Sequence, residues 1–266
     1  MEQTQNSNNL LIGIGALLFI SGLLTAYLFL PKQTVEVAAP ANEVTEEEVE
    51  SNDVVAALPV APEDYVVPVP DAIETINLPE PDAIGSITVA NALLERRSNR
   101  QFADSALTLQ ALSQMLWSGI GVTDSESGLR TVPSRGEVYP VGYYVAVDRV
   151  EGLEQGLYYY LPETHQLSLV IEGDQSSVWE SMTGQPHPGN AAATLLMTAN
   201  MARGEGFRDT TFQESGHVGQ SLYLQAVEQN LAMLVMGGFD KTVAADYLGL
   251  DEYHHVVYLV PIGNPG

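Results

Sequence analysis

The sequence predicts an α+β fold preceded by one transmembrane helix, and three observations lead there. Residues 10–30, LLIGIGALLFISGLLTAYLFL, run without a charge over the length a helix needs to cross a bilayer. From about residue 84 onward, segments of helical periodicity alternate with runs rich in Val, Tyr, Leu and Ile. Between the two lies an acidic, proline-containing stretch whose composition disfavours a packed core.

The chain therefore divides into a short N-terminal tail at 1–9, an anchor at 10–30, a linker at 31–83 and a globular domain at 84–266. A cleaved signal peptide and a buried soluble helix compete for residues 10–30. The tail, MEQTQNSNN, carries no Lys or Arg, and the apolar run exceeds a usual signal core, so an uncleaved single pass through the plasma membrane is expected. Lys32 is the sole flanking basic residue, and the side of the membrane leans narrowly to the exterior. The linker reads as an extended tether, although DYVVPVP and IETINLP are apolar enough to lie on the domain surface.

Within the domain, ITVANALLERR reads as a helix, and Thr108 is placed to cap a second, LQALSQMLWSG, with Met115 and Trp117 in the core. YYVAVDRV reads as a strand, and GLYYYL and QLSLVIE, separated by PETH, read as a hairpin. After a short helix, ATLLMTAN has the uninterrupted apolar character of a central strand. Phe212 to Asn230 reads as a long helix with His217 in its core, LAMLVMGGF as a strand ending in glycines, and VVYLVPIG as a final strand after another short helix.

Charge narrows the partners. The formal net charge of −24 opposes general binding to nucleic acid, since phosphate backbones would meet a repulsive surface. Thirteen acids and no Lys or Arg lie between Val35 and Asp82, so the linker supplies much of the imbalance. With no cysteine there is no thiolate nucleophile, thiolate metal site or disulfide.

Against this background RRSNRQF stands out, because it gathers Arg96, Arg97 and Arg100 in a chain with only ten Lys and Arg. Continued helical geometry would put Arg96 and Arg100 on one face, and Ser98 would add a hydroxyl, a combination suited to phosphate or carboxylate. A solvated helix end accounts for the same residues. Pro133, Ser134, Arg135 and Gly136 form a constrained loop before a strand, able to present amides, a hydroxyl and a charge, or to serve as a tight turn. Gly237 and Gly238 in MGGFD allow a backbone or a flat ring to approach closely, or start a helix. No catalytic residue is singled out, and adjacent His254 and His255 do not make a metal site.

Taken in order, LLERRSNRQF, LTLQALSQMLWSGIGVT, RTVPSRGEVYPVGYYVAV, GLYYYLPETHQLSLV, ESGHVGQSLYLQAVEQNLAMLVMGGFD and YLVPIG resemble the nitroreductase superfamily, and within it the SagB-type dehydrogenases. The resemblance spans about residues 84–265. It implies a three-layer fold with a central, mostly antiparallel sheet, and a homodimer with FMN at the subunit interface. Arg96, Arg97, Ser98 and Arg100 would hold the flavin phosphate, ribityl chain and pyrimidine edge. Residues 133–137 would supply further contacts, and Gly237 and Gly238 would lie beside the reactive ring nitrogen.

The implied activity is FMN-dependent hydride transfer between NAD(P)H and a small organic acceptor such as a nitroaromatic or quinone. An FMN-dependent dehydrogenase of a peptide or small metabolite, and a non-catalytic flavin-fold binding module, are the alternatives. Two departures from the family pattern bear on this. Asn264 in PIGNP stands where a basic residue commonly follows, and the segment after ATLLMTAN lacks the Lys-Tyr pair of azoline-oxidising members.

Overall fold

The computed structural model describes residues 60–62, 64–202 and 205–266. The first strand, β1 (Glu74–Asn77), arises inside the stretch expected as linker. Helices α1 (Val89–Glu95) and α2 (Leu109–Ile120) follow, each opened by a threonine, Thr88 or Thr108, whose hydroxyl accepts a first-turn N–H. A small ribbon of β2 (Val122–Asp124) and β3 (Leu129–Arg130) leads to β4 (Val141–Val147), β5 (Gly156–Leu161) and β6 (Gln166–Glu172). Short helices α3 (Val178–Thr183) and α4 (His187–Asn190) precede β7 (Ala193–Asn200) and the long α5 (Glu205–Glu228). Then come β8 (Ala232–Met233), α6 (Lys241–Leu248) and β9 (His254–Gly263).

Seven strands form one sheet in the order β1-β6-β5-β4-β7-β9-β8, and every pairing in it is antiparallel. Both faces are covered, which explains why β4 and β7 read as continuous apolar runs rather than alternating ones. Along β4, Tyr143, Val145 and Val147 enter the core beneath α2 and α5, while Tyr144 and Ala146 enter the core beneath α3 and α6. The result is the expected α+β arrangement of three layers.

Several expectations are corrected. Among the described residues no helix is long and apolar enough to cross a membrane, and the longest, α5, carries Arg208, Asp209 and Glu214 along its length. The fold class is corrected to an α+β fold with no transmembrane helix among the described residues, and residues 10–30, where one was expected, lie outside them. The expected membrane partner, the single-pass plasma-membrane location and the exterior placement are corrected likewise, since no described helix could provide the span.

Smaller differences have local causes. Helix α1 stops at Glu95, because Arg96 turns to extended backbone (ψ 121) and Asn99 N–H bonds to Met233 C=O at 2.9 Å. Arg96 and Arg100 therefore do not share a helical face. Of LAMLVMGGF only Ala232–Met233 pairs as a strand, with one further bridge from Met236 to Leu259. His217 is exposed rather than buried, because the stripe α5 buries runs through Thr211, Glu214, Val218, Leu222 and Ala226.

Candidate functional site

The arginine segment is held open by its neighbours. Asn99 is tied to β8, and at the chain's end Phe102 bridges to Pro265 while Gly266 N–H bonds to Gln101 C=O at 3.1 Å. Ser98 Oγ lies 2.7 Å from the hydroxyl of Tyr223 on α5, and Arg96 stacks 5.0 Å above the Tyr223 ring. Arg97 is exposed and folds back on the carbonyls of Leu94 and Arg96, and Arg100 is exposed. None of the three arginines is ion-paired among the described residues.

Tyr223 also reaches the glycine segment, because its hydroxyl accepts the Val235 N–H at 3.0 Å, two residues before Gly237. A side chain at Gly238 would meet open space, and one at Gly237 would meet only the Tyr258 ring at 3.7 Å. Arg96, Ser98 and the approach to Gly237 and Gly238 are thus gathered around one phenol. Asn264 sits nearby with its amide nitrogen donating to Ser105 Oγ and Ala106 C=O, both at 2.9 Å, so it braces the loop after the arginines.

The second predicted loop lies elsewhere. Gly136, Glu137 and Tyr139 all take positive φ (64°, 56° and 47°), an expensive conformation for the two residues with a Cβ. Side chains pin it: Ser134 Oγ accepts the Tyr139 N–H at 2.8 Å, and Arg135 donates to Gly206 C=O at 2.8 Å and stacks on Phe207. The Ser134 hydroxyl in turn donates to Glu214, which is 4% exposed. Burial pushes the Glu214 carboxyl up, against the opposing pull of that hydrogen bond and of Arg130.

Ser134, Arg135 and Glu214 line a cavity of about 790 Å³, walled by Tyr139, Tyr144 and Tyr159. Arg130 enters it paired to Glu163 at 2.5 Å and stacked on Tyr139. Burial, helped by the neighbouring Tyr159, pushes the Tyr144 phenol up to about 12, so it stays protonated and able to donate. Asp251 and His254 also line it, together with Tyr65, Val67, Pro68 and Pro70 from the segment before β1.

The predicted residues therefore form two groups. Arg96, Arg97, Ser98, Arg100, Gly237 and Gly238 lie on the Tyr223 side of α5, and Pro133, Ser134, Arg135 and Gly136 on the Glu214 side. Glu214 and Tyr223 are nine positions apart, about two and a half turns, and so leave the helix on opposite flanks of its buried stripe. Sequence reasoning missed Tyr223, Arg130 and the tyrosine walls. The phenols are indistinguishable from core residues in an apolar run, and only the Asp251-to-His254 spacing carried a local signal.

Known proteins share this fold. The nitroreductase family model matches residues 93–264. The chain is 35% identical over 184 residues to the nitroreductase-type protein MJ1384 of Methanocaldococcus jannaschii, covering 66% of this chain and 91% of that protein. A crystal structure of a nitroreductase-type protein from Ralstonia eutropha superposes with TM-score 0.63 at 29% identity, over 79% of this chain and 99% of its own. A nitroreductase-type protein of Desulfovibrio desulfuricans, solved with FMN, shares the fold at TM-score 0.50 and 19% identity, over 68% and 88%.

Proposed function

The chain belongs to the nitroreductase family, and from that premise we propose that it is an FMN-dependent oxidoreductase of the SagB-type branch, moving hydride between NAD(P)H and a small organic acceptor such as a nitroaromatic or quinone. The observation that carries this reading is the meeting of Arg96, Ser98 and the Gly237–Gly238 segment around Tyr223, with Arg97 and Arg100 exposed beside it.

These residues fit the cofactor. Guanidinium groups that have no carboxylate partner among the described residues suit a phosphate and the electron-rich pyrimidine edge of a flavin, and Gly238 leaves open the space a side chain would fill. Asn264 supplies no charge there, so phosphate recognition falls to Arg96, Arg97 and Arg100. FMN, when bound, supplies two-electron hydride chemistry that no side chain of this chain can perform. The protein's part is to hold the ring edge with fixed positive charge and to leave one face accessible.

Because the two groups of site residues flank α5 on opposite sides, one subunit does not surround a flavin with both. A second copy would bring the residue 133–137 loop of one subunit to the arginines of the other. The exposed apolar side chains of Val89, Leu93 and Leu94 on α1, beside the arginines, support such a homodimer. Sedimentation of the purified protein at twice the monomer mass is the expected result.

The test of function is spectroscopic. Purified full-length protein should show a flavin spectrum, release FMN on denaturation, and bleach on anaerobic addition of NADH or NADPH. Arg96→Ala and Arg100→Ala should each weaken FMN binding by about 1–3 kcal/mol, the range for charge-assisted hydrogen bonds. Colourless protein without saturable FMN binding would overturn the reading. Bound FMN that neither nicotinamide reduces would shift the assignment to a dehydrogenase whose organic substrate is the reductant.

A further inference from the structure

The cavity has one feature, around Asp251, that the flavin reading leaves unused. At its far end Asp251 is held rigid: its Oδ1 accepts the Tyr253 N–H at 3.0 Å and lies 2.6 Å from His254 Nδ1. The other oxygen, Oδ2, accepts the hydroxyl of Tyr65 at 2.7 Å, and that hydroxyl also lies 3.4 Å from His254 Nδ1. The Tyr65 ring packs edge-on against Tyr253 with centroids 4.8 Å apart. A carboxylate oxygen, an imidazole and an aromatic edge thus converge on one phenol, supplied by the chain itself.

The segment delivering that phenol is lightly held. Ala61 N–H bonds to Ala202 C=O at 2.9 Å, Tyr65 N–H closes a turn on Pro62, and the next backbone tie is Ile73 to Leu169 at the start of the sheet. Between them Val66 and Val69 are 81% and 59% exposed, so the strap buries little apolar surface of its own. Pro68 and Pro70 keep residues 65–72 extended, and among the described residues this segment pairs with no strand. Tyr65 reaches from this segment to the cavity's polar end with a directed hydrogen bond to Asp251.

We propose that Asp251 and His254 form a recognition subsite for the hydroxyl of a flat phenolic ligand, and that Tyr65 fills it as an intramolecular stand-in that such a ligand displaces. The tyrosine-walled remainder of the cavity suits the ring. Tyr65, Asp251 and His254 are not among the residues assigned to the flavin, although Ser134 and Arg135 line the same cavity, so the FMN affinity of Tyr65→Ala distinguishes failure of this proposal from failure of that reading.

Titration of the full-length protein with p-cresol, followed by NMR, tests it. A tethered competitor lowers apparent affinity by the fraction of time it occupies the site. Tyr65→Ala should therefore bind p-cresol about tenfold more tightly than wild type. Toluene, which lacks the hydroxyl, should gain far less, and adding Asp251→Asn to Tyr65→Ala should return p-cresol to its wild-type affinity. Equal gains for p-cresol and toluene would show only a hole where a ring had been, and would overturn the proposal. So would a gain that survives Asp251→Asn, or no gain at all. Should Tyr65→Ala fail to fold, Tyr65→Phe keeps the ring and frees the Asp251 oxygen; it should still favour p-cresol over wild type, and unchanged affinity there would equally overturn the proposal.

Discussion

Changing Tyr223 to Phe removes one oxygen atom at the point where the arginine and glycine segments meet. That oxygen lies 2.7 Å from Ser98 Oγ and accepts the Val235 N–H at 3.0 Å. The ring remains, so the Arg96 stacking at 5.0 Å survives and the change isolates the hydroxyl. One lost hydrogen bond costs about 1 kcal/mol net, and a half-buried N–H left without an acceptor adds part of a 1–3 kcal/mol desolvation penalty, giving roughly 2 kcal/mol of stability. Flavin affinity should fall as well, because Ser98 and the strand leading to Gly237 lose their common tether; a tenfold loss corresponds to about 1.4 kcal/mol. Urea unfolding of apoprotein reads the first quantity as a lowered midpoint at unchanged slope, and FMN titration reads the second. Tyr223→Leu, which also removes the ring under Arg96, should lose more affinity. An unchanged midpoint together with unchanged FMN affinity in Tyr223→Phe would refute the idea that this phenol joins the two segments.

Two further predictions concern the frame around the site. A Cβ at Gly119 would lie 2.0 Å from the Tyr143 hydroxyl and 3.2 Å from Leu222, so Gly119→Ala should destabilise by about 1–3 kcal/mol, the range for an overpacked core. The Tyr143 hydroxyl is fully buried and has no hydrogen-bond partner among the described residues, so Tyr143→Phe should be neutral or stabilising and should rescue much of the Gly119→Ala loss in the double variant, as thermal melts of the four proteins would read. Burial lowers the His165 imidazole, against the opposing Pro79 hydrogen bond and the Glu80 charge, so the folded state binds fewer protons than the unfolded chain. Stability should be full above the unfolded imidazole value of about 6.5 and fall as pH drops below it; His165→Gln should flatten the urea midpoints on the acid side of about pH 6.5, and an unaltered slope would sink the assignment.

Much of the sheet was legible because its signals are local. The β5–β6 hairpin announced itself by two apolar runs around Pro162–His165, and the observed register pairs Leu161 with Gln166 across that turn. Thr108 capped α2 as its position implied, since a hydroxyl three residues before an amide needs no tertiary help. What the sequence hid depends on distant partners. The end of α1 is set by Asn99 bonding to Met233, far along the chain, so helical extrapolation through Arg100 had nothing to stop it. Edge strand β1 contains only four residues in an acidic, proline-flanked stretch, and it exists because β6 offers it a free edge. The small neighbours Gly216 and Gly219 suggest an inward His217, whereas the buried stripe is set by Val218 and Leu222 one position along.

The site shows the same division more sharply. Clusters contiguous in sequence, RRSNR and PSRGE, could be picked out from their residue types, but whether they belong to one surface is a property of the helix between them. Residues Glu214 and Tyr223 look alike from sequence, two polar tips in an amphipathic run, yet nine positions put them on opposite flanks of α5 and give each loop a different anchor. An odd multiple of half a helical turn separates what a single subunit can present to one ligand from what it can present only to another molecule. Shifting either anchor by two positions along α5 would turn its side chain by about 200° and merge the two surfaces. The spacing of two residues inside an otherwise unremarked helix therefore decides whether the loops act together within one chain or across two.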